Sequence, residues 1–180
     1  QRRAHRVDPF PPERVEEIRH AFLADDHCDF AAMTSLLAYA GPRPHEALAL
    51  LWSEITDDGL IFRPSKGGAT KPRSTRLLRP LRDDLRAYRT QDLGRVFPWT
   101  SRGRFRLYRK RLQGLGVPRA YDLRHAFVTL LLQEGRSLPY VAKQLGHKIA
   151  TCDDTYAHLE HLGEREVDAE RAIYAARSSD

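Results

Sequence analysis

Residues 30–40, FAAMTSLLAYA, are apolar around most of a helical circumference and stop abruptly at Gly41-Pro42. A helix without a polar face has to be enclosed by other elements, so this stretch predicts a buried central helix on which the rest of the chain packs. Asp29 reads as its N-cap. Upstream, Pro11 and Pro12 precede Glu13, and Val15, Ile18, Ala21 and Phe22 recur at helical spacing; this predicts an amphipathic helix opened by prolines. Downstream, Pro44 restarts a helix to about Leu51, with Glu46 in the first turn, where the helix dipole favours a carboxylate.

The pattern then changes. Residues 53–56 and 60–63 flank Asp57-Asp58-Gly59, a hairpin signal. Ser65-Lys66-Gly67-Gly68 reads as a second turn and residues 74–78 as a third strand. Helical patterns follow over roughly 81–90, 102–114, 122–134, 137–145 and 164–176, with Gly135 and Gly146 where C-caps belong. The predicted class is mainly α with one small antiparallel β-sheet (α+β), without internal repeats.

At 180 residues the chain fits one domain. No apolar run approaches the ~20 residues of a membrane span, and QRRAHRVDPF has no signal-peptide core. Cys28 and Cys152 cannot build a disulfide framework, and no Cys/His cluster has zinc-ligand spacing. A membrane protein, a secreted disulfide scaffold and a zinc module are disfavoured, and a reducing cytoplasm is the expected setting. With no initiator Met, the first residues read as the interior of a longer protein.

Charge is strongly polarised. Residues 63–119 carry 17 Lys and Arg against Asp83, Asp84 and Asp92, a net +14. The remainder carries 13 basic and 21 acidic residues, a net −8, leaving +6 for the whole chain. A solvated helix face normally mixes both signs. A block of one sign predicts a polyanionic partner, because each neutralised phosphate releases counterions.

Four short pieces carry the chemistry: Gly41-Pro42-Arg43-Pro44-His45-Glu46; Ser65-Lys66-Gly67; Tyr121-Asp122-Leu123-Arg124; and Leu145-Gly146-His147 with Tyr156 nine residues on. In this order they resemble the catalytic domain of the tyrosine recombinases, the phage-integrase family. That family's pattern is an arginine in a Gly-x-Arg-x-x-Glu turn, a hairpin lysine, a His-x-x-Arg, a Leu-Gly-His and a following tyrosine. The resemblance runs from about Pro9 to Ile173.

It implies a site-specific recombinase or integrase acting on double-stranded DNA through a 3′-phosphotyrosine, with no metal, cofactor or ATP. It implies a tetramer on DNA, and residues 1–180 as the catalytic domain. Within that domain residues 1–10 are linker-like and residues 164–180 form a helix and tail that dock on a neighbouring protomer. An N-terminal DNA-binding domain is expected outside this chain. Two rival readings share the residues: a type IB topoisomerase, and a DNA-binding protein that kept the fold without the chemistry.

The assigned roles follow elementary chemistry. Arg43 and Arg124 are expected to clamp the phosphate, since a planar guanidinium meets two oxygens at once. Tyr156 is the expected nucleophile, a phenol needing nearby cations and a proton acceptor. Lys66 is expected to protonate the leaving 5′ oxygen, with Lys71 its competitor on the same hairpin. His147 is expected to donate to the phosphate, and Glu46 to orient a neighbouring group. The family's usual histidine is Tyr121 here, and a phenol is no base near pH 7, so proton removal from Tyr156 lacks an obvious agent. His125, one residue out of register, is expected to point elsewhere.

Overall fold

The computed structural model describes residues 8–57, 59–63 and 72–178. Lys66 and Lys71 lie outside the described residues. Helix α1 (Pro12–Ala24) opens with Pro12 at its first position and buries Val15, Ile18 and Phe22. Helix α2 (Cys28–Tyr39) buries every residue from Phe30 to Tyr39. It packs against α1, α4 (Arg79–Tyr88) and α6 (Arg124–Gln133), the enclosure that its lack of a polar face requires. Phe22, Phe30, Trp99 and Tyr108 meet largely edge-on, at centroid separations such as 5.4 and 5.6 Å.

Asp29 is not the cap of α2. The helix begins two residues earlier than expected, at Cys28, with His27 at the N-cap. The Asp29 carboxylate is instead held by Arg104, at 2.7 and 2.9 Å.

Helix α3 (Pro44–Ala49) follows the Gly41-Pro42 break. Strand β1 (Leu60–Phe62) pairs antiparallel with β2 (Arg73–Thr75), in the register Leu60↔Thr75, Ile61↔Ser74, Phe62↔Arg73. The strand expected at residues 53–56 is reduced to one bridge, Ile55↔Leu60, behind a 3-10 turn at Trp52–Glu54. The turn forms because the Glu54 carboxylate reaches back to accept from the Leu51 N–H at 2.9 Å.

The second half is helical: α4, then α5 (Arg104–Gly114), α6, α7 (Leu138–Leu145), α8 (Ile149–Tyr156) and α9 (Ala169–Arg177). Sequence patterning did not predict α8. Its residues include Thr151, Asp153, Asp154 and Thr155, weak helix formers, and only Cys152 and Tyr156 mark its buried face. The expected helix at 164–176 begins only at Ala169, after a 3-10 stretch over Ala157–Arg165.

Helix α9 lies on its own chain. Ala169, Ile173 and Ala176 are buried, and α9 touches α1, α4 and α6. Arg177 reaches Asp84 at 2.6 Å and Glu16 at 3.3 Å. Docking of this helix on another protomer would first have to release these interactions. Among the described residues no helix is long and apolar enough to cross a membrane.

Candidate active site

Two glycine turns frame the site. Gly41 has φ +60°, and a Cβ there would stand 2.8 Å from Phe127 Cδ1. Only glycine allows α2 to end so tightly against α6. Gly146, at φ +65°, is the left-handed cap of α7, and a Cβ there would meet Arg73 Cδ at 2.7 Å.

Arg43 is the N-cap residue of α3. Its backbone N–H donates to Glu46 Oε2 at 2.7 Å and its Nη1 to Glu46 Oε1 at 3.1 Å, while Nη2 faces the Gly146 carbonyl at 3.4 Å. Its side chain is 32 % exposed, the most open cation of the group.

Arg73 arrives from β2. It donates to Glu46 Oε2 at 2.6 Å and to the Gln144 carbonyl at 2.9 Å, and its guanidinium lies 4.5 Å from the Phe62 ring centroid. Burial alone would raise the Glu46 pKa. The Arg73 charge, the Arg43 N–H and the Arg43 charge outweigh it, so Glu46 is held below the usual carboxylate range.

Arg124 is fully buried at the start of α6. Its Nη1 donates to the Gly41 carbonyl, and its Nη2 to the Leu145 carbonyl at 2.7 Å and toward His147 Nε2 at 2.9 Å. Both terminal nitrogens of the fork are thus anchored by the two glycine turns, while the buried Nε has no hydrogen-bond partner among the described residues. Burial pulls its pKa down to about 10, which leaves it charged at neutral pH.

His147 is held neutral. Burial first, then the charges of Arg124, Arg43 and Arg73, lower its pKa to about 3. Because Nε2 accepts from Arg124, the proton is assigned to Nδ1. That buried atom has no hydrogen-bond partner among the described residues.

Tyr156 closes α8 and is 2 % exposed. Burial raises its pKa well above the ordinary phenol value, with Tyr121 adding to the rise and Arg124 opposing it. Its Oη lies 2.8 Å from His125 Nδ1, and the two rings meet edge-on with centroids 5.7 Å apart. Tyr121 is half-buried on the other side of His125, its ring 6.1 Å away, and 5.8 Å from the Arg124 guanidinium.

The fold thus brings together Arg43, Tyr121, Arg124, His147 and Tyr156. It corrects the reading of His125, which does not point away from the site. Neighbours on a helix diverge by about 100°: Arg124 turns to the glycine turns and His125 to α8. The four-residue step from Tyr121 to His125 was the available signal, since it places both rings on one side. Arg73 was also missed, because one arginine within a run of them carries no pattern. Among the described residues no group of three or more His, Cys, Asp or Glu could hold a metal ion.

A family model described as the phage integrase family matches residues 10–162. No curated protein matches the chain. Among solved structures, the XerA recombinase is similar at 22 % identity and TM-score 0.68, over 98 % of this chain and 67 % of that one. A XerH site-specific recombinase bound to its difH substrate, in a pre-cleavage complex, matches at 19 % identity and TM-score 0.63, over 83 % of this chain and 50 % of that one. The integrase of mycobacterium phage Brujita matches at 21 % identity and TM-score 0.63, over 93 % and 62 %. The chain therefore spans half to two thirds of these proteins, and they share its fold.

Proposed function

The chain belongs to the phage integrase family, and on that premise we propose that it cleaves and rejoins double-stranded DNA at specific sites through a tyrosine–phosphate ester. The observation that carries this reading is the meeting of Arg43, Arg124 and His147 around two glycine turns, with the Tyr156 phenol within electrostatic reach of Arg124.

In this reading the Tyr156 oxygen attacks phosphorus, the bond to the 5′ oxygen breaks, and Lys66 gives that oxygen its proton. The ester keeps the bond energy, so a 5′ hydroxyl can reverse the step without ATP. The positive charge of Arg43 and Arg124, with the His147 Nδ1–H as a neutral donor, offsets charge growing on the non-bridging oxygens. Tyr121 contributes one hydrogen bond. Tyr156 is 2 % exposed, so its oxygen has to be uncovered when duplex docks. The same reading makes the chain the catalytic domain of a recombinase that acts as a tetramer.

A DNA duplex nicked close to the cleavage site tests it, because the short leaving strand diffuses away and traps the ester. The protein is expected to form a covalent adduct and to exchange strands between two sites. DNA binding without an adduct contradicts the proposal in favour of a binding protein. Relaxation of supercoils by monomers without exchange contradicts it in favour of a topoisomerase.

A further inference from the structure

We propose that His125 is the base that accepts the Tyr156 proton as the phenol attacks phosphorus; this rests on the strand-cleavage reading above. The carrying observation is the 2.8 Å approach of His125 Nδ1 to Tyr156 Oη. That is hydrogen-bond distance for a direct transfer, with no intervening water needed.

The other groups around the phenol are poor acceptors. Arg124 is a cation. Tyr121 is itself a phenol, and the Cys152 thiol one turn before Tyr156 is pushed by burial up to about 11. His147 already directs Nε2 at Arg124. An imidazole is the one side chain here whose ordinary basicity suits proton acceptance at neutral pH. His125 is also held in place: it is 8 % exposed, sits at the first turn of α6, and is flanked edge-on by the Tyr121 and Tyr156 rings. Tyr121 thus acts on the nucleophile through His125, where it buttresses the base.

The step balances. The Tyr156 O–H bond breaks and its proton goes to Nδ1. The oxygen's electron pair forms the bond to phosphorus, the P–O5′ bond breaks, and the 5′ oxygen takes a proton from Lys66. Religation runs each transfer backward. The proton leaves a phenol that burial holds well above its ordinary pKa, so the transfer has to be coupled to bond formation with the phosphorus. Nucleophile activation is thereby tied to occupied DNA.

The test is single-turnover adduct formation on nicked DNA by wild type, His125→Ala and His125→Asn, at saturating DNA. Loss of a general base is expected to slow His125→Ala about 10²-fold or more with DNA affinity little changed, and added imidazole is expected to recover much of the rate. His125→Asn retains an acceptor of similar size but cannot carry the proton, so it is expected to stay slow. A substrate whose bridging 5′ oxygen is replaced by sulfur needs no proton on the leaving group; it should rescue loss of Lys66 and leave His125→Ala slow. Adducts as fast as wild type, or faster, from either His125 variant overturn the inference while cleavage itself stands. Full activity in His125→Asn with no response of His125→Ala to imidazole reduces His125 to a hydrogen-bond partner. A wild-type protein that forms no adduct removes both proposals together.

Discussion

Arg73 Nη2 lies 2.6 Å from Glu46 Oε2, and the same carboxylate oxygen accepts from the Arg43 N–H at 2.7 Å. One carboxylate thus ties the second hairpin strand to the turn carrying the most open arginine of the site. The hairpin is fixed at its second strand to the Arg43 end of the site.

Arg73→Lys keeps a charge but cannot hold Glu46 and the Gln144 carbonyl together. Cleavage is expected to fall about tenfold through misplacement, with DNA affinity nearly unchanged. Single-turnover cleavage and equilibrium binding measured together check this, and an equal loss in both would make Arg73 a simple DNA-binding group.

The two expected clamp residues should separate. Arg43→Lys loses the fork at an open position, so adduct formation should drop by roughly 10²-fold with little change in stability. Arg124→Lys leaves buried carbonyls at Gly41 and Leu145 short of donors, and should also lose about 1–3 kcal/mol of folding stability. Urea titration beside the cleavage assay reads both effects.

His147 gives stability a pH signature. Its folded pKa of about 3 lies below the ordinary 6.5, so between those values the unfolded chain binds the proton and the folded chain does not. Stability should therefore fall as pH drops below about 6.5, while above it His147 adds no slope. The stability of wild type relative to His147→Gln should decline from pH 7 to pH 5. Unfolding midpoints at the two values measure it, and a constant difference would mean His147 is not held neutral.

The basic block is partly internal. Arg73, Arg76 and Arg104 are paired with Glu46, Glu134 and Asp29, whereas Arg102, Arg106 and Arg109 are exposed. Charge reversal at those three is expected to weaken DNA binding and lower its salt slope by roughly 0.9 for each phosphate no longer neutralised. The same change at Arg104 should act mainly through stability. Binding over a range of salt distinguishes the two, and an unaltered slope would place this surface away from DNA.

Much of this was legible in the chain. The apolar run ending at Gly41-Pro42 marked the central helix, and Gly146 marked the cap that precedes His147. Arg43, Arg124, His147 and Tyr156 were singled out by order and spacing, and the fold brings them together. What escaped depended on tertiary placement. Helix α8 has two buried residues and no periodic stripe, so nothing local announced it. The approach of His125 to Tyr156 depends on how the end of α8 is placed beside the start of α6, which the spacing of neither helix contains. The anchoring of Arg124 arises because two turns far apart in the chain converge their carbonyls on one guanidinium.

The most direct measurement is the attachment site of trapped DNA. Peptide mapping of the adduct formed on nicked duplex is predicted to find a single modified residue, Tyr156, and Tyr156→Phe is predicted to bind DNA yet form no adduct, since it removes one oxygen and almost no packing volume. DNA attached at Tyr121, or an adduct that survives Tyr156→Phe, would contradict the account.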